Sequence, residues 1–205
     1  MPISRRGFLV GLPLFATGCA STQFRSDFAH YSARTDEGFS IAAIPLSEID
    51  SDIRRREVSF DGDYQPGTIV VNTPERRLYY VLGGGRAIRY GIGVGREGLA
   101  LRGNAIVGRK AEWPRWRPTD NMIRRDPRNA RYAGGVSGGP HNPLGARALY
   151  LYRNGRDTMF RIHGTNQPRT IGHAVSSGCV RMLNHDVIDL YERASVGTRV
   201  VVLQA

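Results

Sequence analysis

The sequence is poor in sulfur and nearly devoid of lysine. Its 205 residues include two cysteines, Cys19 and Cys179, and four methionines. Two thiols are too few for a disulfide framework or a four-thiolate zinc site. Of 29 basic residues only Lys110 is a lysine; all the others are arginine. They are spread along the chain rather than clustered, so the net charge of +11 is a weak argument for nucleic acid, and no nucleic-acid partner is expected. No stretch approaches the ~18 unbroken apolar residues of a membrane span, which excludes a polytopic membrane protein. There is no internal repeat and no low-complexity tract. What is present is ordinary: 40% apolar and 23% charged residues suit a globular chain, and the length suits one domain with some chain left over.

Residues 1–20 read as an export signal. Arg5 and Arg6 form a positive start, residues 8–15 a short apolar core, and Ala16, Thr17 and Gly18 lead into Cys19. Ser4-Arg5-Arg6-Gly7-Phe8-Leu9 resembles the twin-arginine export motif. Ala16-Thr17-Gly18-Cys19 resembles a lipobox, which would make Cys19 the lipidated first residue of the mature chain and its lipid the only membrane contact. A plain signal peptide cut near Cys19 or Ala20 is the simpler alternative. Ala20 is not acidic, which by resemblance to Gram-negative lipoproteins favours the outer membrane over the inner. Export to an oxidising compartment would leave Cys179 as the one remaining thiol, and a thiol there is a liability unless it has a task.

Residues 21–63 lack sustained periodicity and include the run Arg54-Arg55-Arg56. They read as a solvated tether, with a short strand near 57–60 and a short amphipathic stretch near 46–53. From residue 64 the signals turn β-like, and residues 64–205 are expected to form one domain. Strands are expected at 68–71, 77–82, 87–94, 105–111, 148–152, 158–163 and 199–203. Residues 112–143 are rich in Pro, Gly, Arg and Asn without period; such a long irregular stretch is usually functional. One helix is convincing, with Asn184 as its N-cap and Val187, Ile188, Leu190 and Tyr191 on one face. The fold expected is mostly β, a mixed-sheet or sandwich-type domain with one late helix near the catalytic loop.

The segment that carries chemistry is 162–183, IHGTNQPRTIGHAVSSGCVRML. A thiol near its ordinary pKa of about 8.5 is mostly protonated at neutral pH, and the thiolate is the nucleophile. An imidazole in reach can take that proton. His163, at an expected strand end, and Cys179, after a tight glycine turn, are the candidate pair. Backbone N–H groups of Gly178 and Cys179 could serve as an oxyanion hole. Arg181 could hold a substrate carboxylate bidentately or brace the loop.

His163-Gly164-Thr165 and Ser176-x-Gly178-Cys179-x-Arg181 resemble the L,D-transpeptidase catalytic domain of bacterial cell walls, the YkuD domain. Glu112-Trp113-Pro114-x-Trp116-x-Pro118-Thr119 and Asn142-Pro143-Leu144-Gly145-Ala146 also look like that family, so the resemblance covers roughly 64–205. It implies acyl transfer between peptidoglycan stem peptides without a cofactor. Cys179 would attack the carbonyl after the third stem residue and expel terminal D-Ala as a thioester forms. An amine on a second stem, or on an outer-membrane protein, would then take the acyl group. His163 would be general base and acid, oriented by Ser176 or a nearby carbonyl, with Gly178 at the oxyanion. Gly164, Thr165, Arg181 and Trp113 would line the substrate site. Many members have His directly before the Gly-Cys, where this chain has Ser177, so the base must be His163.

Other readings are weaker. A zinc site from His141, His163 and His173 lacks ligand spacing, and no metal is expected. His173 is expected to be exposed, His141 to sit in a turn or beside the cleft, and His30 in the tether. Gly91-x-Gly93-x-Gly95 lacks dinucleotide-binding spacing and reads as a glycine-rich strand. Trp113 and Trp116 read as a cover over the substrate groove. Two different functions stay open: a non-catalytic wall-binding anchor, and a carboxypeptidase or endopeptidase with water as acceptor.

Overall fold

The structure, a computed structural model, describes residues 18–95, 101–176 and 178–204. The expected leader up to residue 17, the side chain of Cys19 and the side chain of Ser176 lie outside the described residues. In chain order the elements are α1 (Gly18–His30), β1 (Arg34–Asp36), β2 (Phe39–Ile41), β3 (Arg56–Ser59), β4 (Ile69–Asn72), β5 (Arg77–Gly83), β6 (Arg86–Gly91), β7 (Val94–Gly95), β8 (Gly103–Glu112), α2 (Asp120–Arg125), β9 (Arg147–Arg153), β10 (Arg156–His163), β11 (Ala174–Ser176), β12 (Val180–Arg181), α3 (Asn184–Arg193) and β13 (Arg199–Leu203). Each of the seven expected strands is present. So are the short strand near 57–60, as β3, and short 3-10 turns at Leu46–Glu48 and Ser51–Ile53.

Nine strands form one mixed sheet in the order β12-β10-β9-β8-β13-β4-β5-β6-β3. Most neighbours are antiparallel; β13 runs parallel to β4, and β12 parallel to β10. The middle of the sheet is apolar on both faces, as in the fully buried runs Ala148–Leu149 and Val200–Val202. Ile69, Leu78, Tyr90, Leu149, Leu151, Ile162 and Val200 form the main core with Met182, Val187 and Leu190 of the α3 region. Helix α3 turns Val187 and Leu190 inward at helical spacing. Its C-terminus is capped by Lys110, whose Nζ donates to the carbonyls of Tyr191 at 2.7 Å and Ala194 at 2.6 Å and lies over the Tyr191 ring. A cation there satisfies orphan carbonyls and opposes the helix dipole.

Three expectations need correction. Residues 27–59 are not a solvated tether. Asp27, Tyr31, Ile41 and Ile49 are buried, and the arginine run is paired: Arg54 to the Leu46 and Ile49 carbonyls and to Asp27, Arg55 to Asp189 at 2.8 Å. This strap shows no hydrophobic period because ion pairs and single apolar anchors hold it. The stretch 112–143 is not structureless, since α2 and a 3-10 turn at Pro127–Tyr132 lie within it. Asn184 is not the N-cap of α3; Leu183 holds that position without a side-chain cap. The Asn184 Oδ1 instead accepts from Ala146 N at 3.0 Å and Thr165 N at 3.2 Å, joining two loops beside His163.

That bond pattern makes Asn184 a clamp, because its removal leaves two buried amide N–H groups without an acceptor. Asn184→Ala is expected to lower unfolding free energy by about 2–4 kcal/mol; urea denaturation checks this, and a midpoint unchanged from the parent would contradict it.

Candidate active site

The site is built where β12 pairs with β10. The register sets Ile162 opposite Val180 and His163 opposite Arg181. Side chains alternate along strands, so Ile162 and Val180 enter the core while Arg181 and His163 face the other way. Cys179, two residues before Arg181, falls on that same side. Cys179, His163 and Arg181 all line one cleft of about 1130 Å³. Spacing alone left open whether His163 and Cys179 share a site; the strand pairing puts both on one side of the sheet, lining one cleft.

The cysteine turn is held from behind. β11 pairs with β7, Ala174 with Val94 and Ser176 with Gly95, and Gly93 and Arg181 exchange both backbone hydrogen bonds. A Cβ on Gly95 would come within 2.5 Å of the Gly178 Cα, and one on Gly93 within 2.7 Å of the Thr170 carbonyl. The glycine-rich strand thus exists to let two backbones touch. Gly178 itself has φ +127, a conformation that other residues rarely adopt.

His163 is 5% exposed. Its Nδ1 lies 2.6 Å from the Gly164 carbonyl. A carbonyl only accepts, so Nδ1 carries the proton and Nε2 keeps its lone pair. Burial lowers the imidazole pKa to about 4, with the Arg181 and Arg161 charges acting in the same direction against the carbonyls of Gly164 and Leu144. The ring is therefore neutral at pH 7, with the Nε2 lone pair unprotonated. Burial pushes the Cys179 thiol up, opposed by the Arg161 backbone and by the Arg161 and Arg181 guanidiniums. The thiol donates to the Met159 carbonyl at 3.9 Å. Met159 has φ +64 and sits where β10 departs from regular register between Asp157 and Arg161. Both shifts favour the uncharged forms, a neutral thiol and a neutral imidazole.

The other expected site residues divide. The Arg181 guanidinium lines the cleft and reaches the Gln167 Oε1 at 3.4 Å, while its backbone braces the loop through Gly93. Gly164 acts through His163, and a Cβ on it would come within 2.3 Å of Asn184 Oδ1. Thr165 is buried and does not line the cleft; its Oγ1 accepts from Gln167 N at 3.0 Å. Trp113 does not cover the groove. It is 8% exposed, stacks on Phe39 with ring centroids 4.7 Å apart, and donates its indole N–H to Asp36 at 2.7 Å. Alternation did not distinguish the two tryptophans; Trp116 is the one that lines the cleft. His141 lines the cleft as well, whereas His173 is exposed outside it. His30 is not in a solvated tether: its Nε2 lies 2.8 Å from the buried Asp186.

Sequence reasoning passed over Arg161, named Asn142 only as part of a motif and read Asn184 as a helix cap. Arg161 lies two residues before His163 and shares its face, a signal that strand alternation carries. Asn142 is 1% exposed, and its Nδ2 donates to the carbonyls of Pro114, Val136 and Ser137, tying together the two ends of the segment over the cleft. Nothing in the sequence announces that bond set.

Comparison with known proteins agrees with this geometry. The chain is 39% identical over 139 residues to "Probable L,D-transpeptidase ErfK/SrfK" of Escherichia coli (strain K12), covering 66% of this chain and 43% of that protein. It is 41% identical over 142 residues to "Probable L,D-transpeptidase YbiS" of the same strain, covering 64% and 43%. The chain thus spans less than half the length of these curated relatives. Among solved structures, a Brucella melitensis chain described as a "Probable carnitine operon oxidoreductase caia" is 53% identical, with TM-score 0.52, over 76% of this chain and 96% of that one. The profile of the L,D-transpeptidase catalytic domain, YkuD, matches residues 66–202, and the chain belongs to that family.

Proposed function

We propose that the protein is an exported L,D-transpeptidase that cross-links or remodels peptidoglycan through a thioester on Cys179. The observation that carries this reading is a neutral imidazole, its Nε2 lone pair left unprotonated because Nδ1–H is held by Gly164, in one cleft with the Cys179 thiol across paired strands.

Cys179 Sγ attacks the carbonyl after the third residue of a donor stem peptide while His163 Nε2 takes the thiol proton. The oxyanion forms beside the turn at Gly178. Collapse breaks the amide bond, and His163 returns the proton to the departing D-Ala amine, leaving the thioester. An acceptor amine then attacks the thioester and gives its proton to His163. The new amide leaves, and the proton returns to Sγ. The cleft's size exceeds that of an ordinary small-molecule pocket and suits two peptides. Arg124, Arg125, Arg131 and Arg181 on its walls favour the carboxylates that stem peptides carry. The amino-terminal sequence supports delivery to the periplasm and lipid attachment at Cys19, the outer membrane being favoured, and places an outer-membrane protein among the acceptors to be tested.

Cys179→Ala is expected to abolish cross-linked product from purified tetrapeptide muropeptides while circular dichroism stays native; wild-type yield from that variant would refute the thioester. Product analysis with and without an acceptor stem separates transfer from hydrolysis, and a chain that only binds muropeptides would yield neither product. His163→Gln is expected to lower kcat by about 10²–10⁴-fold. For the free enzyme, the acid limb of kcat/KM should fall near pH 4, well below the ordinary histidine value, and thiol alkylation by iodoacetamide should keep rising above pH 8 without a plateau near pH 6. The same lowered histidine pKa means the unfolded chain binds the proton first as pH drops. Its contribution to stability is complete above about pH 6.5 and is lost as pH falls towards about 4; urea midpoints for the parent and His163→Gln across this range read the difference.

A further inference from the structure

The strap lies outside the matched region 66–202, yet one of its carboxylates reaches the root of the segment over the cleft. Asp36, at the end of β1, accepts the Trp113 indole N–H through Oδ2 at 2.7 Å. The same carboxylate takes a bidentate pair from Arg147, Nη1 at 2.6 Å and Nη2 at 2.8 Å. The Arg147 side chain is 7% exposed, and its backbone carbonyl accepts from Gly164 N, next to His163.

Trp113 is the hinge point of the cleft's cover. It follows β8 directly, and its φ of +40 is costly for a bulky residue and persists only where surroundings enforce it. Residues 114–136 then run over the cleft, contributing Trp116, Thr119, Met122, Asn129 and Tyr132 to its lining. They return to their starting point, with Trp116 and Val136 exchanging both backbone bonds. The returning chain packs on Trp113: a Cβ on Gly138 would lie 1.9 Å from the Trp113 carbonyl, and one on Gly139 would touch Phe39. Both ends of the cover therefore rest on Trp113, and Asp36 and Phe39 of the strap fix its indole.

We propose that Asp36 is a positioning residue for the transfer reaction, holding the cover in register over the cleft through Trp113 and Arg147. This rests on the transferase reading for its kinetic part, but the placement of the cover can be read without turnover. The cover carries exposed arginines at 124, 125, 128 and 131, so trypsin reports its opening directly.

The full chain, Asp36→Asn, Asp36→Ala and a control, Asp27→Asn, are compared by two measurements. The control weakens the strap at its other anchor, where Asp27 meets Arg54 and Arg56, away from Trp113. Both Asp36 variants are expected to raise donor KM at least fivefold with kcat changed less than twofold. Cleavage after Arg124, Arg125, Arg128 or Arg131, followed by mass spectrometry, should be at least fivefold faster. The control should leave KM and cover cleavage within twofold of the parent, whatever its melting temperature. The isosteric Asp36→Asn keeps the test open should Asp36→Ala fold poorly. Unchanged cover cleavage in Asp36→Asn, or an equal change in the control, would overturn the proposal. A parent without transferase activity would instead defeat the functional reading and leave the proteolysis result to decide this one.

Discussion

The parallel pairing of a two-residue strand with the end of β10 is the constraint on which the candidate site depends. β12 spans only Val180 and Arg181, yet its pairing with the end of β10 sets which side chains meet. A slip of one residue would send Cys179 into the core and turn Val180 into the cleft. That register is protected on every side: Gly93 bonds Arg181, Met182 N bonds the His163 carbonyl, and Gly95 packs on Gly178. The shared placement of Cys179 and His163 is thus a product of backbone pairing, with side-chain contacts adding orientation.

The environment of the pair explains why the thiol is held in reserve. Burial disfavours charge on both groups, raising the cysteine and lowering the histidine, which favours the neutral pair over an ion pair. A neutral thiol resists oxidation better than a thiolate. Of the two orienting groups considered, a carbonyl is present: Gly164 O lies 2.6 Å from the His163 Nδ1, while the Ser176 side chain lies outside the described residues.

Much of the fold was legible because the strands carry strong local signals. β-branched runs such as Ile69–Val71 and Val200–Val202, bounded by turns, announce themselves. That Cys179 and His163 share a cleft was suggested by what surrounds them: a late cysteine behind a glycine, a histidine at a strand end. The strap was not legible, because ions and isolated anchors hold it: Asp27 with Arg54, His30 with Asp186, Asp36 with Arg147. Ion pairs between residues from 27 to 156 apart leave no period in a sequence. Asn184 was misread for a related reason: asparagine at a helix start is a good cap, and only the fold reveals that its amide oxygen serves two distant loops instead. Trp113 and Trp116 share one motif and opposite fates, decided by a backbone turn at φ +40 that periodicity cannot anticipate.

Lys110 has a significance beyond the helix it caps. It holds the only side-chain amine in the whole sequence, and that amine is occupied by two carbonyls at the foot of α3. An enzyme that hands acyl groups to amines risks acylating itself whenever one of its own is nearby. Arginine, always protonated and poorly nucleophilic, supplies nearly all the positive charge here, so an activated acyl group on this chain would have almost no internal competitor for the molecule it is meant to reach.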